Sequence, residues 1–434
     1  MEHGLAIGIL ATFGLLFVFL AIGEWVFASL LLAGLIASTF LVGRQEMIAY
    51  IPFSAANSWI LTAIPMFVLM GTLFLYSGIS ERLYRGSTAF IGRFTGGLLH
   101  ANVLATTIFS ALSGSAMGCT ATVGTVALPE LKKRGYDEKL SLCSIAAGGS
   151  LGSLIPPSSA FIVFAAMTDT SVGKLFFGGL FPGILCSLLF MSYIFIRVKL
   201  NPKLAPLSEK IRPIEMLYAI KDLGPILVIV IAILGGIYMG LFTPTEAAAI
   251  GCVMALILSV ALRTFSLKML HQSLLSTIGI VGFIMMIFVG SSVFTNALAM
   301  LRIPHQLVQL VLDFQLSPLA ILISVCIFYT ILGCLIEGIP IMIMTLPIFF
   351  PLVVSAGYDP IWFGVITVEL MQMGMITPPV GMCLYVIQAI RGKGSLTEIF
   401  MSIYPFVLIY LLLVAITTAF PPLATWLPSK MITR

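Results

Sequence analysis

The chain is a succession of apolar runs, most of them near the length of roughly 20 residues that a helix needs to cross a bilayer. Bounded by charge or by Gly and Pro, they fall at about 5–22, 25–43, 60–80, 98–130, 140–168, 175–197, 223–240, 246–262, 275–298, 316–351, 360–390 and 400–422. They are near-continuous and do not alternate over about 10 residues, which excludes a transmembrane β-barrel. Bare backbone polar groups are not tolerated in lipid, so spanning helices remain. Of the 434 residues 60% are hydrophobic and 9% charged. Soluble chains carry roughly 25% charge. A soluble enzyme, a nucleic-acid binder and a disordered chain are thereby excluded. The net charge of +5 follows from the positive-inside bias of a bacterial inner-membrane protein. Met1 to Gly23 has no basic n-region and reads as a first span, not a cleaved signal. All seven cysteines lie in apolar stretches, none in a C-x-x-C spacing, and read as small buried hydrophobes.

Four runs are too long for one span. Those at 98–130 and 316–351 carry a break of small or polar residues at their middle; those at 140–168 and 360–390 are broken by a Pro-Pro pair. The four are related. Pro129, Gly135-Tyr136-Asp137, Gly152 and Pro156-Pro157 recur as Pro351, Gly357-Tyr358-Asp359, Gly374 and Pro378-Pro379, each offset by 222 residues. The chain is an internal duplication. The first repeat is 1–197, the second 223–434, and the polar stretch 198–222 joins them as a cytoplasmic linker.

Charge sets the orientation. Lys132, Lys133, Arg134 and Lys139 surround the first Gly-Tyr-Asp loop, and its counterpart has no Lys or Arg. After the Pro-Pro segments the bias reverses: Lys174 alone in the first half, Arg391 and Lys393 in the second. Equivalent loops lie on opposite sides, so the repeats are inverted. With 98–130 and 316–351 as re-entrant hairpins, ten full spans remain and both termini are periplasmic. Of the 22 Lys and Arg residues, all but Arg44, Lys174, Arg302, Lys430 and Arg434 then fall inside. The fold class is an all-α polytopic membrane protein of two inverted repeats, with re-entrant hairpins and broken helices.

Broken helices are tolerated at membrane depth only where they line a cavity or face protein, so the breaks point to a site. In the first half these are the tip Ser113-Gly114-Ser115-Ala116 and the segment holding Ser150, Gly152, Ser153 and Pro156. In the second they are the tip from Gly333 to Pro340, with Glu337 inside it, and the segment holding Gly374, Thr377, Pro378 and Gly381. Unwound carbonyls and half-helix C-termini present oxygens to a hard cation, and half-helix N-termini present N–H groups to an anion. Hydroxyls of Ser113, Ser115, Ser150, Ser153 and Thr377 complete a cation shell; glycines permit close backbone approach and prolines free carbonyls. Small residues also serve plain helix packing, but four breaks in a duplicated arrangement favour a site.

Other candidates are weaker. Thr243-Pro244-Thr245-Glu246 reads as a capping box. Glu337 and Glu369 are acids within apolar runs; Glu337 at a tip is the better candidate, and Glu369 reads as nearer the interface. His3, His100, His271 and His305 stand singly near span ends, with no partner at metal-ligand spacing. A nucleophile or general base with its orienting group is absent at membrane depth, which argues against an intramembrane enzyme.

The tip Ser113-Gly114-Ser115-Ala116, the run Ile155-Pro156-Pro157-Ser158, Gly135-Tyr136-Asp137, Pro244-Thr245-Glu246 and Thr377-Pro378-Pro379-Val380-Gly381 resemble the large membrane subunit of tripartite ATP-independent periplasmic (TRAP) transporters along essentially the whole chain. The resemblance implies an elevator-type transporter, a transport domain of hairpins and broken helices sliding on a scaffold. It implies sodium-coupled import of an organic acid, with Na+ as coupling ion at the hairpin-tip residues. It implies two partners, a small four-helix membrane subunit and a periplasmic substrate-binding protein; because Met1 lies almost at the first span, the small subunit is expected to be a separate protein. The second reading is a stand-alone sodium/dicarboxylate symporter that needs no binding protein. Two positions depart from the family pattern: Glu337 stands where Asp is frequent, and Glu369 and Gln372 occupy the region where an Asn often precedes Thr-Pro-Pro.

Overall fold

The computed structural model describes residues 2–43, 50–206, 213–314 and 316–432, which form helices and turns with no strand among them. The first half holds α1 (Glu2–Ile22), α2 (Val26–Ile36, continued by a π-helical turn, Ala37–Val42), α3 (Tyr50–Ala56), α4 (Ala63–Tyr76), α5 (Ile79–Ile91), α6 (Gly97–Ser113), α7 (Ala116–Lys133), α8 (Glu138–Ser150), α9 (Ser159–Thr168) and α10 (Val172–Leu200). The second holds α11 (Pro213–Tyr238), α12 (Pro244–Ala261), α13 (Leu267–Met300), α14 (Ile303–Asp313), α15 (Pro318–Gly333), α16 (Gly338–Ser355), α17 (Pro360–Gly374), α18 (Met382–Arg391), α19 (Leu396–Ala419) and α20 (Pro422–Ser429). Among the described residues seven helices are long and apolar enough to cross a membrane; six are among the ten expected spans, and the seventh, α16, is a hairpin arm.

The 222-residue offset reaches the element bounds. α7 and α16 coincide at both ends under it, and α5, α6, α8, α9 and α10 begin within two residues of α14, α15, α17, α18 and α19. The caps explain why. Gly135 and Gly357 take positive φ (74° and 91°), a conformation open to glycine without a Cβ penalty, and end the preceding helices. Asp137 and Asp359 then cap the next ones, each carboxylate accepting the N–H three residues on, Leu140 at 2.8 Å and Trp362 at 2.9 Å. The over-long runs resolve as expected. α6–α7 and α15–α16 fold back as hairpins, and α8–α9 and α17–α18 are helices interrupted at the Pro-Pro pairs.

Some elements differ from the sequence reading. α5 and α14 are absent from the apolar runs because only one stripe of each is apolar; on α5 Ile79, Leu83 and Tyr84 are buried while Arg82 and Arg85 face out. α10 extends to Leu200 and α11 starts at Pro213, so helix enters both ends of the stretch read as linker. Lys210 and Arg212 of that linker, with Arg44 and Arg434, lie outside the described residues. The capping box is present: Thr243 Oγ1 accepts from Glu246 N at 3.3 Å and Glu246 Oε2 from Thr243 N at 2.8 Å.

Each hairpin packs on the broken helix of its own half, α6 and α7 on α8 and α15 and α16 on α17. Each also meets a half-helix of the other, α7 on α18 and α16 on α9. Aromatic edges lock this crossing, with Phe164 against Phe350 and Phe363 at 5.9 and 6.2 Å and Phe190 against Phe406 and Tyr410 at 5.3 and 5.5 Å. α2, α4, α12 and α13 pack on one another beside this core, and α4 and α13 reach the hairpins.

Residues of opposite halves meet at one end. The Arg391 guanidinium donates to both Glu138 oxygens at 3.0 and 3.1 Å and to Glu398 at 2.9 Å. Asp137 N donates to Leu204 O at 2.9 Å, and Asp222 lies 3.5 and 3.4 Å from Arg82 and Arg85. The first Gly-Tyr-Asp loop, the linker and the end of α18 therefore share a face, as their basic residues lead one to expect. The far end of α11 meets the C-terminus, Ile432 N donating to Tyr238 O at 3.4 Å.

Candidate functional site

The first tip is a two-residue turn. Gly114 takes φ 59°, and Ser115 caps α7 by accepting Gly118 N at 3.2 Å. The Gly114 carbonyl is held from the broken helix, accepting Ser153 Oγ at 3.2 Å and Ser159 Oγ at 3.1 Å. The backbones touch: a Cβ at Gly152 would lie 2.5 Å from Ser115 O, and one at Gly114 2.8 Å from Pro157 O. Pro156 lies buried in this turn, between the 3-10 segment Leu151–Ser153 and α9. Ser158 caps α9 and donates to Ser153 O. Ser113 Oγ points back into the hairpin, 3.1 Å from Cys119 Sγ and 3.3 Å from Ser115 O. Ser150 turns away from the tip and bonds the Tyr410 hydroxyl of α19 at 2.9 Å.

The second tip repeats the contact with different side chains. A Cβ at Gly374 would lie 2.5 Å from Gly333 O, an equally close approach that falls four residues before Glu337, the position equivalent to Ser115. Val380 N donates to Cys334 O at 3.2 Å, and Cys383 N to Met375 O at 3.0 Å. Thr377 Oγ1 donates to Met373 O at 2.6 Å, one turn back, just before the Pro378 break. Gly381, at φ 58°, opens α18. Under the 222 offset Ser115 becomes Glu337, which occupies the N-cap of α16 without a side-chain cap bond, and Ser113 becomes Leu335. The hydroxyl shell is therefore richer at the first tip.

Both tips meet a cavity of about 480 Å3 between the hairpins and α4 and α13. Ser113, Gly114, Ser115, Ser153 and Glu337 line it. Gly152, Gly333, Gly374 and Thr377 stand at the tip-to-break contacts described above, with Pro156, Pro378 and Gly381 in the breaks. The facing wall comes from Gly71 and Thr72 of α4 and Ile280 and Phe283 of α13, and a Cβ at Gly71 would lie 2.8 Å from Ser113 Cα. Gln372 and Thr122, both on the wall, were missed as site residues by sequence reasoning; each has a buried oxygen without a partner. Spacing was the available signal, since Gly118 and Thr122 share a face of α7. No group of three His, Cys, Asp or Glu among the described residues could hold a tightly bound metal. Backbone and hydroxyl oxygens at the tips suit a weakly held monovalent cation instead.

Glu369 corrects the interfacial reading. It is fully buried in α17, accepts Thr417 Oγ1 at 2.8 Å through Oε1, and leaves Oε2 without a partner.

Comparison with known proteins agrees with this architecture. The family description "Tripartite ATP-independent periplasmic transporter, DctM component" matches residues 13–423. The chain is 36% identical over 380 residues to the C4-dicarboxylate TRAP transporter large permease protein DctM of Pseudomonas aeruginosa, covering 87% of this chain and 88% of that one. It is 30% identical to the sialic acid TRAP transporter large permease protein SiaM of Vibrio cholerae, over 96% of both chains. Among solved structures, the Alcanivorax borkumensis YdaH transporter shares the fold with TM-score 0.56 at 12% identity, covering 88% of this chain and 89% of that one. The chain is a transporter subunit and not an enzyme. It belongs to the DctM family, the large membrane permease component of tripartite ATP-independent periplasmic transporters.

Proposed function

We propose that the chain is the permease of a sodium-coupled importer of an organic acid in the bacterial inner membrane. It works with a small four-helix membrane subunit and a periplasmic binding protein that delivers the substrate. One observation carries this reading: two duplicated tips, each seated backbone to backbone on a broken helix, meet a single cavity. A sodium ion at each tip-and-break pair would draw on carbonyls of the tip and the break, with Ser113 completing the first site and Thr377 the second. The cations offset the cost of carrying an anion through lipid. Each net positive charge carried inward gains roughly 2.3 kcal/mol per 100 mV of membrane potential.

Movement is of the elevator kind. Hairpins, broken helices, α10 and α19 form the mobile body, and α2, α4, α12 and α13 belong to the scaffold. The division follows the packing, since the two repeats interlock through the hairpins and half-helices while α4 and α13 face them across the cavity. The two repeats enter with opposite orientation, which sets the loop after α7 and the loop after α18 on the cytoplasmic face and both termini on the periplasmic face.

Thermal unfolding of the purified chain in sodium, potassium and choline chloride at equal ionic strength tests the coupling ion. A ligand at 100 times its Kd stabilises by about 2.7 kcal/mol, so a saturable, sodium-selective rise in Tm is expected. Ser113→Ala and Thr377→Ala are each expected to raise the sodium concentration needed for half-maximal stabilisation by several-fold while leaving Tm in potassium unchanged. Unaltered sodium curves in both variants would remove these assignments.

A further inference from the structure

Glu369 lies outside both tips and takes no part in the sodium sites. It is fully buried, and Oε1 accepts Thr417 Oγ1 of α19 at 2.8 Å. Oε2 is closed off from solvent, and no donor reaches it. The fold does not require an acid at this place. Under the 222 offset the position is Ala147, equally buried in α8.

Compensating charge is just as sparse. α17 packs on α9, α10, α15, α16, α19, α20 and the 3-10 segment Leu151–Ser153. Of these only α10 carries Lys or Arg, with Lys174 near its start and Arg197 and Lys199 in its last turn. The α10 side chain in electrostatic reach of Glu369 is Cys186. It stands roughly 18 Å along the helix from Lys174 and roughly 16 Å from Arg197. The other titratable groups in reach are Cys326 of α15 and Tyr410 of α19, a thiol and a phenol. Among the described residues α9, α16, α20 and the 3-10 segment hold no titratable group, and Glu398 sits at the opposite end of α19 from Thr417.

An ionised carboxylate here would be a buried charge met by one neutral donor. Proteins avoid that by pairing the charge or by neutralising the group. The neighbours offer no partner, so a bound metal cation or a proton remains. A sodium ion needs room of its own and several oxygens around it, and Oε2 has no surface to offer one. A proton needs neither, because it sits on the oxygen itself. It also turns Oε2 into a donor, free to bond a backbone carbonyl, while Oε1 keeps its bond to Thr417.

We infer that Glu369 is a proton-binding site: Oε2 carries a bound proton, and the side chain is a neutral carboxylic acid, not a further sodium site. The elements that bury it, α10, α15, α17 and α19, move together in the mobile body, so the proton stays sealed through the transport cycle. The sealing rests on the mobile body proposed above; the bound proton does not.

The experiment compares infrared spectra of the purified full chain and its Glu369→Gln variant at neutral pH. The wild type is expected to show a carboxylic-acid C=O stretch that the variant lacks. No difference in that region overturns the inference. The half-saturating sodium concentration in thermal unfolding is expected to be the same in both proteins. A several-fold rise in the variant marks a cation on the carboxylate and also overturns it. In D2O the downshift of the band is expected to be slow, and equally slow in sodium and in potassium chloride. Rapid exchange in either salt overturns the sealing and leaves the bound proton standing. Should Glu369→Gln fail to fold, Glu369→Leu supplies the same difference spectrum. Failure of both overturns the inference, since a slot built for a neutral acid tolerates an uncharged side chain of similar volume.

Discussion

Gly152 and Gly374 do the same work 222 residues apart. Each lets a broken helix lie directly on the backbone of a hairpin tip, with no room for a Cβ within 2.5 Å of the opposing carbonyl. Overpacking of this kind costs about 1–3 kcal/mol where the surroundings shift to absorb it. Gly152→Ala and Gly374→Ala are each expected to lower Tm and to weaken the sodium-dependent part of the stabilisation more than the sodium-free part, measured by unfolding in sodium and in potassium. A loss equal in both salts would mean the glycines serve packing alone. The glycines were legible in sequence because they recur at a fixed offset. The roles of the serines were not. Ser150 and Ser153 stand three apart in one motif, yet one bonds Tyr410 of α19 and the other the Gly114 carbonyl. The α-helix ends at Ser150 and a 3-10 turn carries Ser153, and only packing fixes which neighbour each then meets.

At the scale of elements, local chemistry decided more. The Gly-Tyr-Asp loops and the Thr243 box are short-range devices whose donors and acceptors lie within three or four residues, so sequence was enough to place them. Thr243→Ala is expected to destabilise α12 by about 1 kcal/mol, read as a small fall in Tm with the sodium shift unchanged. The amphipathic helices α5 and α14 escaped a search for apolar runs because half of each surface is polar. The buried Glu369 on α17 was misplaced for a related reason: depth in a bundle depends on which neighbours cover a helix. Here α17 is covered by α10, α15 and α19, and its carboxylate meets Thr417 on the last of these.

At the scale of the whole molecule, the Arg391 cluster ties the end of α18 to the start of α8 across the two halves. The Arg391 guanidinium holds the Glu138 carboxyl below its usual range, against a smaller opposing effect of burial. A carboxyl lowered on folding contributes stability above its unfolded pKa and loses it as pH falls through the folded value. Stability is therefore expected to fall on acidification below the ordinary carboxylate range. Glu138→Gln is expected to lower Tm slightly at neutral pH and to flatten that acid limb; the effect is small because Glu138 is about half exposed (48%) and screened by salt. Sidedness has its own check. Cysteines introduced at Lys139 and Lys393 are expected to react with an impermeant maleimide only in inside-out vesicles, and one at Lys174 only in right-side-out vesicles. Opposite accessibility of Lys139 and Lys393 would break the inverted arrangement.

The sequence by itself determined the solvent, the element type and the duplication. Long apolar runs admit only helices in lipid, Pro-Pro pairs and Gly-Ser tips must interrupt them, and a constant offset exposes the repeat. Tertiary structure alone decided that both tips meet one cavity, that α4 and α13 close it, and that Thr122, Gln372 and Glu337 are its unengaged polar groups. The physical reason is range. Backbone satisfaction, capping and hydropathy act over a few residues and are written in the local chain. A cavity is the space left between surfaces hundreds of residues apart, as at Gly71 and Phe283, and its shape depends on how helices rotate and cross once packed.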